Sequence, residues 1–289
     1  MGSRVDPAVA DRSRGPEERP MQLAVQQAIS AMRDRYFDPI TLGQIAAEVF
    51  VSPFHLSRVF AELTGVTPGR YLTAVRLFEA KRLLLTTDLT VADVVSSVGY
   101  NSVGTFTSRF TKAVGMTPTQ YRSPEVRELL LAVSPDFHRV PPAEALPGAS
   151  GLPVQGAASV SATVDLPAAA APANVLVGLF AERIPQCGPV AYAAQAGVGS
   201  TRLTISDVPP GRWTVLAVAE GAHGGGAESI YLGTVRQPVA VSPGGATRVS
   251  LRLRELQPTD PPIAITLASE TFPRGMSRDL ARPELRVAA

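Results

Sequence analysis

From Met21 to Arg122 apolar residues recur every three or four positions, whereas from Ser159 to Leu253 they tend to alternate singly with polar ones. The first spacing predicts amphipathic helices and the second half-buried strands. In the helical part, Leu42, Ile45, Ala46 and Val49 form one short stripe, and Val91, Val94, Val95 and Val98 form another. Each stripe is opened by a threonine placed three residues before a side chain that can bond back to it, Thr41 before Gln44 and Thr90 before Asp93. A turn follows each stripe, and Ser52-Pro53 and Ser102-Val103 then start a second helix. The expected core positions of that helix are Leu56, Phe60 and Leu63 in one copy and Phe106, Phe110 and Ala113 in the other. Gly65 and Gly115 stop it, and Val66-Thr67-Pro68 and Met116-Thr117-Pro118 restart the chain ahead of Tyr71 and Tyr121.

The segment is therefore an internal repeat with a constant offset from Ser52 onward. A short helix, a tight turn and a second helix with a free polar face make a helix-turn-helix, here present twice. Between the copies, residues 75–85 hold neither Pro nor Gly and are apolar on one side, which predicts a connecting helix that fixes their separation.

In the second half, Val160, Ala162, Val164 and Leu166 alternate with Ser159, Ser161, Thr163 and Asp165. Val249, Leu251 and Leu253 alternate with Arg248, Ser250, Arg252 and Arg254. Between them, segments 174–180, 190–195, 201–208, 212–219, 229–234 and 239–241 are separated by Pro209-Pro210-Gly211, Gly224-Gly225-Gly226 and Pro243-Gly244-Gly245. About eight strands at this spacing predict an all-β sandwich. The expected organisation is a flexible arm (1–20), a double helix-turn-helix domain (21–122), a Pro/Gly-rich linker helical at first over 125–133 (123–155), a β-sandwich (156–256) and a Pro-rich tail with one strand at 263–267 (257–289).

Composition narrows the function. The 289 residues carry a net +2, and the excess lies in residues 21–122, where ten basic side chains face seven acidic ones. The arm has balanced charge and no apolar core, so no signal peptide is expected, and no apolar run nears the ~18 residues of a membrane span. A cytoplasmic protein with no membrane contact is the expectation. One cysteine and three histidines cannot assemble a zinc cluster, so neither metal nor cofactor is expected. Cys187 lies in Pro185-Gln-Cys187-Gly-Pro189, which holds no His or Arg to activate a thiol. His223-Gly-Gly-Gly lacks a Gly-x-Ser-x-Gly partner and reads as a hairpin; no Gly-x-x-x-x-Gly-Lys phosphate loop is present. The chain does not read as an enzyme.

On the expected reading face, Phe54, Ser57, Arg58 and Ala61 share one side of their helix, opposite Leu56 and Phe60. A guanidinium can donate twice to guanine O6 and N7, which makes Arg58 the leading base contact, with pairing to Glu62 as the plain alternative. Phe54 either meets a thymine methyl or covers its neighbouring helix. In the second copy Val103, Gly104, Thr107 and Ser108 form the matching surface, with Thr105 near the helix start, while Arg109 and Lys112 suit phosphates or a solvated face. His55, at a helix start, reads mainly as structural.

Taken together, Leu42-x-x-Ile45-Ala46, Ser52-Pro-x-His55-Leu56-Ser57-Arg58-x-Phe60, Thr64-Gly65-x-Thr67-Pro68, Arg76-Leu77-x-x-Ala80-x-x-Leu83-Leu84, Val94-x-x-x-Val98-Gly99-Tyr100, Phe106-x-x-x-Phe110 and Gly115-Met-Thr-Pro118-x-x-Tyr121-Arg122 resemble the DNA-binding domain of AraC/XylS-type transcription regulators. The resemblance implies seven helices, with two recognition helices entering neighbouring major grooves of double-stranded DNA. It also implies contacts at Phe54, Ser57, Arg58, Val103, Gly104, Thr105, Thr107 and Ser108, RNA polymerase as a partner, and a companion domain that binds a small effector or forms a homodimer. Two departures stand out. Phe50-Val51 occupies the first turn where the family usually has glycine and an aromatic, and Ser108 occupies a place where arginine is common.

Asp207-Val-Pro-Pro-Gly211-Arg-Trp213-Thr-Val215 is similar to the small prealbumin-like and carboxypeptidase-regulatory-like sandwiches. Trp213 is expected in the core rather than as a sugar platform. The family's usual order puts the sensor first, and here it comes second, which leaves an effector domain and a plain interaction module both open. The expected function is a sequence-specific transcription regulator; the alternative is a protein-interaction adaptor whose helical domain has lost base reading.

Overall fold

A computed structural model describes residues 18–124, 126, 158–186, 188–221, 229–257 and 259–262. Most of the arm and linker, Cys187, the His223 hairpin and the tail from residue 263, with its expected strand, lie outside the described residues.

The helical half contains α1 (Glu18–Asp34), α2 (Leu42–Glu48), α3 (Pro53–Thr64), α4 (Pro68–Thr86), α5 (Val91–Ser97), α6 (Val103–Val114) and α7 (Pro118–Tyr121). Local chemistry sets these boundaries. Thr41 with Gln44, Thr90 with Asp93 and Thr117 with Gln120 each form a reciprocal cap that satisfies two orphan N–H groups at the start of α2, α5 and α7. Ser52 and Ser102 accept from the His55 and Thr105 amides to open α3 and α6. Gly65 (φ 77°) and Gly115 (φ 88°) close those helices in the left-handed region.

Two cores result. Val25, Ile29, Met32, Ile45, Leu56, Phe60, Tyr71 and Val75 fill the first head. Leu77, Leu84, Val94, Val98, Phe106, Phe110, Val114 and Tyr121 fill the second. The helix expected at 75–85 is longer, and it is buried on more than one side because it supplies both cores. Arg76 at its centre donates to the Tyr36 carbonyl (2.7 Å) and the Asp38 carbonyl (2.8 Å) and lies over the Tyr100 ring. These bonds tie the α1–α2 connection to the second head. Leu63, expected in the first core, is 43% exposed, and Val66, beyond the Gly65 turn, is buried there instead.

The second half is all β, with strands β1 (Ala158–Asp165), β2 (Ala173–Phe180), β3 (Ala191–Gly197), β4 (Ser200–Val208), β5 (Gly211–Gly221), β6 (Ser229–Thr234), β7 (Val239–Val241), β8 (Ala246–Arg252) and β9 (Arg254–Glu255). One sheet has the order β4-β1-β8, with β1 parallel to β8; the other has the order β3-β2-β5-β6-β9, with β7 paired to β5. Val160, Ala162, Val164, Leu203, Ile205, Val249 and Leu251 meet Val175, Val177, Leu179, Val215, Ala217 and Tyr231 between the sheets. Trp213 packs half-buried at the edge of this core and donates to the Pro209 carbonyl (2.8 Å). The larger sheet also buries Leu176, Phe180, Leu216, Val218 and Leu232 on its other face. That is why Val175 to Phe180 reads as a continuous apolar run rather than an alternation.

The β half is docked on the first head. Ile184, in the β2–β3 connection, belongs to the first helical core. Arg70 pairs with Glu182 (2.6 Å), and the wholly buried Lys81 donates to the Gln186 carbonyl. After β9, Asp260 caps a turn at the Gln257 amide and holds Arg254 with two bonds of 2.7 Å. The Asp260 carbonyl accepts from Arg33 (2.8 Å) and from the Tyr71 hydroxyl (3.0 Å).

Candidate nucleic-acid interface

Helix α3 buries Leu56 and Phe60 completely and leaves its opposite side open. Phe54 is 81% exposed, Arg58 is exposed, and Ser57 and Ala61 are half-buried between them. The cap at Ser52 sets the first turn of α3, so these side chains fall on one face by helical spacing alone. Arg58 reaches Glu62 at 3.3 Å, with both side chains more than half exposed. Such a surface pair is worth only about 0.3–0.5 kcal/mol, so a phosphate or a guanine edge can displace it at little cost. His55 is half-buried, and its amide is used by the cap.

Helix α6 repeats the arrangement with smaller groups. Phe106, Phe110 and Val114 are fully buried, while Val103, Gly104, Thr105, Ser108, Arg109 and Lys112 are exposed and Thr107 is half-buried. Small side chains let a backbone approach closely and offer methyl and hydroxyl contacts. Arg109 sits 6.0 Å over the Tyr100 ring, on the same ring that Arg76 covers at 5.6 Å. Burial lowers the Arg76 guanidinium from its ordinary value, and the neighbouring Arg109 charge adds to that, opposed by Tyr100. Lys112 lies in the last turn of α6, where the helix dipole favours a cation.

The two turns that aim these helices are made alike. Phe50 and Val51 donate to the Ala47 and Ala46 carbonyls, and Gly99 and Tyr100 donate to the matching Ser96 and Val95 carbonyls. Both turns need a left-handed residue, which Gly99 supplies at φ 76° and Phe50 at φ 56°. The glycine missing from the first turn is thus replaced by strain in Phe50 rather than by a different turn. Sequence spacing located both faces, but gave no sign that Phe50 is 93% exposed or that Lys81 is buried. What the sequence did mark at Phe50 was the glycine missing from the first turn, at the place that Gly99 holds in the second.

Among the described residues, no group of His, Cys, Asp and Glu could hold a metal ion, and no helix is long and apolar enough to cross a membrane. A family described as "Helix-turn-helix domain" matches residues 45–123. Probable transcription factor PqrA of Proteus vulgaris is 35% identical over 83 residues, which cover 29% of this chain and 68% of that protein. The chain belongs to the helix-turn-helix family. Within the family it is also similar to the lactose operon transcription activator of Staphylococcus xylosus, 31% identical over 98 residues that cover 34% of this chain and 35% of the relative. The melibiose operon regulatory protein of Escherichia coli (strain K12) is 31% identical over 104 residues, covering 36% of this chain and 34% of the relative. The chain therefore spans about a third of the length of these two relatives, and the family match ends at residue 123, ahead of the β half.

Proposed function

We propose that this chain is a sequence-specific transcription regulator of AraC/XylS type, in which α3 and α6 read two adjacent major-groove segments of one duplex. The observation that carries the reading is the duplicated helix-turn-helix whose two recognition faces stand open while their opposite sides fill separate cores. Phe54, Ser57 and Arg58 serve the first segment; Val103, Gly104, Thr105, Thr107 and Ser108 serve the second, with Arg109 and Lys112 on phosphates. The relatives named as operon regulators support the same direction. The β half, in this reading a prealbumin-like sandwich, modulates the first head: its β2–β3 connection touches α4 and places Arg183 against Gly65 at the end of α3. An effector, polymerase or second subunit bound by the β half would act through that contact.

Footprinting of the full chain on genomic fragments tests the proposal. Two protected major-groove patches about one helical turn apart are expected. Arg58→Ala should cost ~1–3 kcal/mol and relax preference at one base position. An adaptor that no longer reads bases would protect no site, and uniform weakening across sequences would reassign Arg58 to phosphate.

A further inference from the structure

Among the described residues of the helical half, Phe50 is the one non-glycine residue with a left-handed backbone, and its ring is 93% exposed. Both properties are unfavourable. A Cβ at positive φ crowds its own carbonyl, and an uncovered ring gains nothing from burial. The sister turn shows that glycine is the unstrained solution. There, a Cβ at Gly99 would stand 2.7 Å and 2.8 Å from the Tyr36 and Phe37 carbonyl oxygens, so nothing but glycine fits. At Phe50 the space is open. The first turn can hold any side chain that tolerates the strain, and it holds a large apolar one.

Its neighbours say what that side chain meets. Val51 turns inward and packs on the first core, and Ser52 caps α3, so the exposed Phe50 stands two residues ahead of the cap at the N-terminal end of the recognition helix. That end approaches base edges in helix-turn-helix docking. Phe54, in the first turn of α3, is also uncovered at 81%. Glu48 is the nearby acid that would repel a phosphate, and Arg35 holds it through a side-chain hydrogen bond. Arg35 also lies 3.6 Å from Asp38.

We infer that Phe50 and Phe54 form an apolar surface that lies against the major groove and covers thymine methyl groups, so that the first head selects T-containing steps beside the base read by Arg58. This inference rests on the DNA-reading role proposed above. Apolar contact with the thymine methyl is the one hydrophobic feature the major groove offers, and it distinguishes T from every other base.

The test uses the full-length chain and a duplex selected by it from a random-sequence library. Dissociation constants are measured for the unaltered chain and for Phe50→Gly, with each thymine of the first half-site replaced in turn by deoxyuridine, which lacks the methyl. Phe50→Gly should melt a few degrees higher, because glycine relieves the left-handed strain, yet bind the selected duplex at least about fourfold more weakly. Deoxyuridine at one or two positions should weaken the unaltered chain about fourfold, which is ~0.8 kcal/mol for one methyl at 1.4 kcal/mol per decade, and should weaken Phe50→Gly distinctly less at one of them, the methyl that Phe50 covers, while a methyl under Phe54 stays sensitive. The inference is overturned if the variant binds as tightly as the parent, or if it stays equally sensitive to deoxyuridine at every position. Unchanged DNA affinity with lost transcriptional activity would assign the surface to a protein and overturn it too. If the unaltered chain selects no sequence, the regulator reading itself has failed, a different result from a selected duplex that ignores Phe50.

Discussion

In the first head the turn residue Phe50 stands in solvent, the recognition helix carries an arginine and one bare phenylalanine, Phe54, and the β half adds Ile184 to the core. In the second head the turn residue is wedged against backbone, the recognition helix is lined by small residues, and the core is closed by α7 and Tyr121. The repeat thus preserves hydrogen bonds and caps while its two copies divide other tasks. The first exposes chemistry and is held by an outside body; the second is held by the first.

The largest expected effect breaks that division at the turns. Gly99→Ala puts a Cβ 2.7 Å from the Tyr36 carbonyl oxygen and strains a left-handed backbone. It should lower stability by about 2–4 kcal/mol, read as a shift in the urea midpoint. Phe50→Ala keeps a left-handed Cβ in open space and should change stability by less than about 1 kcal/mol. Equal losses from the two substitutions would show that the turns are not held differently.

Next in size is the grip of the β half. Asp260→Ala removes both bonds to Arg254 and the cap on the Gln257 amide, loosening the carbonyl shared by Arg33 and Tyr71. A loss of about 1–3 kcal/mol is expected, since the group is buried and charge-paired. Hydrogen exchange should quicken in α1 and stay slow in α6. Exchange rising equally in both heads would mean that the docking serves the whole helical half.

Alkali should reach the same contact more gradually. Burial raises the Tyr71 phenol above its ordinary value, with the Arg33 charge opposing, and burial raises Tyr121 as well. The folded chain then keeps protons that the unfolded chain gives up near pH ~10, so this stability is complete below ~10 and lost as pH rises through the raised folded values. Ionised Tyr71 can no longer donate to the Asp260 carbonyl. The urea midpoint should hold steady from roughly pH 7 to 9 and fall above ~10. Tyr71→Phe should shrink that fall, and a steady midpoint up to pH ~11 would contradict the assignment.

These contacts also mark what the sequence could and could not disclose. The caps at Thr41, Thr90, Ser52 and Ser102 were legible because a cap is local: donor and acceptor lie within three residues. The strands were legible wherever one face is wet, and less so in β2, which is buried on both faces. Lys81 was not legible. A lysine on a helix between two heads reads as solvated, and only the arrival of the Gln186 carbonyl from the other half buries it. Leu63 failed for the opposite reason: its spacing fits the stripe, but Val66 after the Gly65 turn takes the place in the core. Periodicity records which face a residue shares and is silent about bodies that come from far along the chain. In the interface, spacing grouped Phe54 with Arg58 and Val103 with Ser108, yet the exposure of Phe50 depends on an empty space that no pattern encodes.

The smallest effect sharpens the comparison at the recognition helices themselves. In the first head Arg58 is held by Glu62, whereas in the second Arg109 rests over the Tyr100 ring. Glu62→Gln should move stability by no more than ~0.5 kcal/mol, because both partners are well exposed and screened by solvent. On DNA the same substitution frees the guanidinium and removes an acid from the face proposed to meet DNA, so affinity should rise about twofold, the same ~0.3–0.5 kcal/mol expressed as binding. The gain should shrink at high salt if Glu62 acts through charge. Weaker binding would instead mean that Glu62 steers Arg58 toward its base, and the ion pair would then belong to the reading mechanism rather than compete with it.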